Sequence, residues 1–280
     1  MTSTSVKKRK SRKNEQPEQK NASQPVSASF PPLFSQLEAI NSATHQALYY
    51  HPVTKDDFAR KTHALPLVLQ EITAAALDTP VLFIREGDIW GIIALVGIRA
   101  GEGCRVDENG HWQGYRPLYL RFYPFTTGVT ETEETLLCLD RGFAGLNEEK
   151  GNGGHPLFNE DGTPGTWLVQ VNSDMAGYTL ARKTTGEALA LLAKLELLQP
   201  ATARVVTSSG GVHHFDGFFV VDREVLKALP IEKLTQLRDA DLLEPVYAHL
   251  LSLQHLPALM QQAEKQEQQE QTLLKKTEFH

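Results

Sequence analysis

Apolar positions recur at two periods along this chain, and the change from one to the other marks its elements. Between 167 and 198, Leu168, Val171, Met175 and Tyr178 stand three, four and three residues apart, and Leu189, Leu192 and Leu195 continue at threes. That spacing gathers them on one face of a helix. Gly186 is a point where such a helix kinks or splits, and Pro200 closes it. Residues 67–77, LVLQEITAAAL, also read as a helix, ended by Thr79 and Pro80. The pattern then changes. Residues 81–84 read as a strand, Glu86-Gly87-Asp88 as a turn and 89–98 as a second strand. The second run is apolar on both faces, which places it inside a sheet. The short turn makes the pair antiparallel.

Other hairpins follow the same logic. Residues 105–112 fold back over Asn109-Gly110, read as a type I′ turn. The run LLCL at 136–139 is a short strand, and 142–165 is a glycine-rich loop. Residues 202–207 and 212–221 make a hairpin over Ser208 to Gly211. Asp241 and Glu244 resemble a capping box. They open a helix on which Leu243, Val246, Tyr247, Leu250 and Gln254 share one face. Hairpins with separate helices make an α+β fold, a mainly antiparallel sheet packed with helices. The expected organisation is a disordered basic tail at 1–29, a single domain at 30–262 and a polar C-terminal tail at 263–280, read as a polar helix or, from about 265, as a frayed tail.

The densest aromatic stretch is 112–125, WQGYRPLYLRFYPF, in a chain with only 8% aromatic residues. Tyr115, Tyr119 and Phe122 lie at i, i+4 and i+7 and so share a helix face, with Arg116 and Arg121 beside it and Pro124 ending it. Such an element is either the centre of a core or the wall of a pocket. On the pocket reading, the ligand-binding candidates are Arg121, Tyr123 and Tyr119, with His45 and His249.

Composition narrows the function classes. A net charge of −6 argues against nucleic acid as the main partner. The exception is the tail run KKRKSRK, from Lys7 to Lys13. Two cysteines, Cys104 and Cys138, form no disulfide framework, so a cytoplasmic location is expected. The longest apolar run, 89–98, is too short to cross a bilayer, so no membrane insertion is expected. Catalytic motifs are absent: there is no G-x-S-x-G elbow and no C-x-x-C pair. His214 and Asp216 form an H-x-D triplet that, with His249 or His255, would suit a non-haem iron site. The plainer reading is a solvent-facing strand, and no metal or cofactor is expected.

Several segments occur in an order that resembles the SapC-like family of bacterial proteins. They include Leu65-Pro66-Leu67, Ala94-Leu95-Val96-Gly97, Arg121-Phe122-Tyr123-Pro124-Phe125 and Cys138-Leu139-Asp140. Pro156 to Gly162, Gly217 to Asp222 and Tyr247 to Leu253 continue the match, which spans about 35–260. The resemblance implies a soluble accessory or binding protein linked to bacterial cell-surface or uptake systems. It carries over no catalytic residues. A peptide-transport permease shares the name, but membrane spans set that protein apart. The alternative is an enzyme or small-ligand binder with a pocket near Arg121 and Tyr123. The partner, protein or small molecule, is left open.

Overall fold

The computed structural model describes residues 32–130, 132–151, 153–206 and 212–277. The basic run at 7–13, the rest of the 1–29 tail and the turn at 208–211 lie outside the described residues. The architecture is α+β, with every described strand pairing antiparallel.

The described chain enters through β1 (Leu37–Ala39), one helical turn α1 (Ser42–His45) and β2 (Tyr49–Tyr50). Asn41 caps α1, its side-chain oxygen accepting from the Thr44 amide at 3.0 Å. Next come β3 (Ala64–Leu67), a 3-10 turn at Leu69–Glu71, the one-turn α2 (Ile72–Ala75), β4 (Val81–Glu86) and β5 (Ile89–Leu95). The helix expected over 67–77 is therefore a strand end, a 3-10 turn and a single α turn. Tertiary pairing overrides the helical pattern. Ala64 to Leu67 register against Leu95 to Ile92 of β5, which draws Leu67 into the sheet. Pro66 is tolerated because β3 is an edge strand.

The β4–β5 hairpin forms as expected, and β5 has neighbours on both sides. Both faces of this hairpin are buried. Val81 and Phe83 belong to the main core, whereas Leu82, Ile93 and Leu95 form a second layer with Phe218 and Leu259. The hairpin at 105–112 is real but is not type I′. Of Asn109 and Gly110, only Gly110 has positive φ, at 91°. The Asp107 carboxylate accepts from the Asn109 and His111 amides at 2.9 Å each, and this local Asx geometry selects a longer loop closed by a left-handed glycine.

A five-residue helix, α3 (Leu118–Phe122), leads into β6 (Phe125–Val129) and β7 (Thr135–Asp140), which join β1 in the order β1-β7-β6. Two short strands, β8 (Leu146–Asn147) and β9 (His155–Pro156), flank β2. The long helix α4 (Thr166–Lys194) runs through Gly186 as one element and buries Leu168, Met175, Tyr178, Leu189 and Leu192, the positions its apolar period marks. Then β10 (Leu198–Val206) and β11 (Val212–Val221) complete a sheet ordered β10-β11-β4-β5-β3. Leu198, expected as the end of the helix, belongs to β10.

The last part of the chain is helical: α5 (Arg223–Lys227), α6 (Ile231–Asp239), α7 (Leu243–Ser252) and α8 (Leu256–Thr277). The polar run that follows Pro257 does not fray from about 265 but is helical as far as Thr277, because its Gln, Glu, Lys and Leu residues are strong helix formers. Among the described residues no helix is long and apolar enough to cross a membrane.

Candidate functional site

The aromatic stretch splits where its prolines stand. Pro117 precedes the first helical residue of α3, so Tyr115 lies outside the helix and the three-residue face expected from 115, 119 and 122 does not form. Tyr119 and Tyr123 instead both pack edge-on against Phe34, at centroid distances of 6.1 and 5.3 Å. The Tyr119 hydroxyl donates to the Pro32 carbonyl. The Tyr123 hydroxyl donates to Asp140 Oδ2 at 2.9 Å.

Asp140, wholly buried, is the anchor of this layer. It also accepts from the Gln36 amide at 2.8 Å, the Ser35 amide at 3.0 Å and the Gly142 amide at 3.1 Å. Burial alone would raise its pKa. The Gln36, Ser35 and Gly142 amides and the Tyr123 hydroxyl outweigh that and hold the carboxyl below the usual range.

Arg121 and Glu71 belong to a second polar cluster. Glu71 is 2% exposed and accepts from the Leu118 amide at 2.7 Å, the Val68 amide at 2.9 Å and the Tyr115 hydroxyl at 3.0 Å. Burial raises its pKa against those donors. Burial, with Glu71 beside it, pushes the Tyr115 phenol up to about 12. The exposed Arg121 guanidinium lies 5.5 Å over the Tyr115 ring, and its Nε donates to the Arg116 carbonyl at 2.7 Å. It closes this cluster from the solvent side.

His45 and His249 stand apart from both clusters. His45 is buried in α1, with Nε2 3.0 Å from Glu38 and Nδ1 against Asn41 and Thr44. His249 completes the large sheet. Pairing between β11 and β4 stops at Phe219 and Phe83. Two residues further on, the His249 ring bridges the strands: Nδ1 donates to the Val81 carbonyl at 2.8 Å and Nε2 accepts from the Val221 amide at 3.0 Å. Burial lowers its pKa to about 4, so it is neutral and neither nitrogen is left for a ligand or a metal. The side chain of His214 lies outside the described residues. Among the described residues no three His, Cys, Asp or Glu side chains converge on one point.

What the chain does form is a cleft of about 890 Å³. One wall is Lys61, Thr62 and His63 leading into β3, and another is Tyr119 with Tyr178 and Arg182 of α4. Ile84, Glu86, Asp216 and Phe218 extend it along the large sheet. Of the residues singled out from sequence, Tyr119 and Asp216 meet here; Arg121, Tyr123, His45 and His249 do not.

Tyr178 is the residue that sequence reasoning missed. It is 6% exposed, and among the described residues its hydroxyl has no hydrogen-bond partner. Among the described residues the fully enclosed side-chain atoms without a partner are Arg105 Nε and Arg116 Nε, so the Tyr178 hydroxyl is not sealed in, and the residue lines the cleft. Its apolar spacing marks it as a core position, yet Arg182 follows at i+4, on the same helix face. That Tyr-x-x-x-Arg pair is the signal that could have found it. Burial raises the pKa of Tyr119 and of Tyr178 well above the usual phenol value; the Glu71 charge raises Tyr178 further, and Arg182 draws both down. Both are therefore neutral donors. His63 is kept neutral at pH 7 by burial, so Lys61 and Arg182 supply the positive charge. Neither forms an ion pair among the described residues.

The model of the SapC family matches residues 40–259. No curated protein and no solved structure matches the chain.

Proposed function

The chain belongs to the SapC family, and from that premise we propose that it is a binding protein that takes a small anionic ligand in the Tyr119–Tyr178–Arg182 cleft. It would serve as a cytoplasmic accessory to a bacterial cell-surface or uptake system. That setting is supported by family association alone. The cleft reading is carried by one observation: the Tyr178 hydroxyl, on a residue nine-tenths buried that lines the cleft, has no partner among the described residues. A ligand acceptor there would gain a hydrogen bond worth about 0.5–1.5 kcal/mol, or about 1.5–3 kcal/mol if it is charged. Arg182, whose charge reaches both phenols, favours an anionic acceptor, while the Glu71 charge near Tyr178 opposes one. The volume is in the range of small-molecule sites.

Binding fits better than catalysis. The buried Glu71 and Asp140 carboxylates each receive three or more donors from the fold, and His249 has both ring nitrogens engaged. None offers a free atom for moving a proton to a substrate.

The test is calorimetric titration of the full chain with a panel of carboxylates, phosphate monoesters and acidic sugars. At least one class should bind. Tyr178→Phe and Arg182→Met should each weaken that binding about tenfold or more, the worth of one charge-assisted hydrogen bond. Failure of the whole panel, or binding indifferent to both substitutions, would overturn the reading.

A further inference from the structure

We infer that the open edge of β6 is a docking site for residues 26–30 of this same chain, added to the small sheet as a fourth strand. The inference is independent of what the cleft binds.

Hydrogen bonds identify the free edge. The Asp140 amide donates to the Pro124 carbonyl at 2.8 Å, and the Thr130 amide donates to the Glu134 carbonyl at 2.9 Å. Thr126 stands opposite Cys138 and Gly128 opposite Leu136, so the even-numbered residues bond to β7. The backbone groups of Phe125, Thr127 and Val129 therefore point away from β7. Those of Thr127 meet no partner among the described residues. Such an edge is a template for another strand unless it is blunted. Elsewhere it is blunted: β3 carries Pro66, β10 carries Pro200 and β1 carries Glu38. In contrast β6, FTTGV, has neither a proline nor a charge, and Val129 at its end is 73% exposed.

The occupant is set by where the described chain begins. Pro32, its first residue, accepts from the Tyr119 hydroxyl and lines the cleft together with Thr126 and Thr127 of β6. The residues just before it read Val26-Ser27-Ala28-Ser29-Phe30, apolar at every second position, which is the period of a strand with one buried face. Pro31 biases Phe30 toward extended backbone and cannot continue the ladder. The connection also reaches. β1, the far edge of the sheet, starts at Leu37, seven positions after Phe30. Seven extended residues cover up to about 23 Å, and three strand spacings need about 14 Å. The direction fits as well. β1 and β6 both pair antiparallel with β7, so they run parallel to each other. A strand antiparallel to β6 would end at the end of the sheet where β1 begins.

Hydrogen–deuterium exchange of the full chain, read by mass spectrometry, tests this. Residues 26–30 and Phe125–Val129 should both exchange about tenfold or more slowly than free chain. Ala28→Pro removes an amide from the middle of the run and should release both segments, leaving the β4–β5 hairpin as protected as before. Ala28→Val keeps the period and should preserve the protection. Free exchange of residues 26–30 in the parent would overturn the inference. So would protection of Phe125–Val129 that Ala28→Pro leaves unchanged. Protection that appears only as the protein concentration rises, with a dimer in light scattering, would overturn it too, by assigning the strand to a second copy.

Discussion

Two kinds of deep polar group occur in this molecule. Around Asp140, each donor has an acceptor: three backbone amides and the Tyr123 hydroxyl converge on one carboxylate with no exposed surface. In the cleft, Tyr178 is nearly as deep and its hydroxyl has no partner among the described residues. The first arrangement is complete within the chain, so its work is to hold β1, β7 and the aromatic layer together. The second is incomplete, and what completes it must come from outside the described fold. Burial alone does not separate structural from functional polar groups; satisfaction does.

The largest break of this contrast is Asp140→Ala. It strands three amides and a phenol in a dry layer, and should destabilise the protein by about 3–5 kcal/mol. Chemical denaturation monitored by tryptophan fluorescence checks this. A loss under about 1 kcal/mol would mean that water reaches those donors and the layer is not closed.

His249 gives a pH-dependent version of the same contrast. Its folded pKa lies near 4, below the ordinary histidine value of 6.5. The unfolded chain therefore takes up a proton first as the pH falls. Stability from this group is fully present above about pH 6.5 and is lost progressively down to about pH 4, by roughly 3 kcal/mol in all. Denaturant midpoints measured from pH 7.5 to 4.5 should fall along this slope, and His249→Gln should flatten it. An unchanged slope in the variant would assign the acid sensitivity to other groups.

The legibility of the fold divides along similar lines. Local periodicity finds α4, the β4–β5 hairpin and the β10–β11 hairpin, because each pattern is decided by residues close in sequence. Residues 67–77 depart from their helical pattern because a distant strand competes for them. Ala64 to Leu67 pair with Leu95 to Ile92 of β5, and that pairing wins over local helix propensity. The aromatic stretch departs for a different reason. Its i, i+4, i+7 spacing is helical, but Pro117 lets the helix begin only after Tyr115 has turned away to Glu71. In the site, Tyr119 is legible from aromatic density. Tyr178 is hidden, because an apolar period cannot show whether a phenol finds a partner. His249 is equally opaque, since its role depends on two strands that are distant in sequence.

The smallest effect gives the sharpest test, because it sets one tyrosine against another. Tyr123 and Tyr178 are both buried phenols, 8% and 6% exposed. Removing the hydroxyl of Tyr123 takes a donor from Asp140, so Tyr123→Phe should cost about 1–3 kcal/mol. Removing the hydroxyl of Tyr178 takes away a group that no described residue meets, so Tyr178→Phe should lie within about 0.5 kcal/mol of the parent, with a slight gain in stability the favoured sign. The two substitutions remove the same atom at similar depth, so differences in lost area or volume cancel between them. Paired denaturation curves without ligand read the contrast directly. If Tyr178→Phe costs as much as Tyr123→Phe, the Tyr178 hydroxyl already has a partner within the folded chain, and the cleft loses the observation on which its proposed binding role depends.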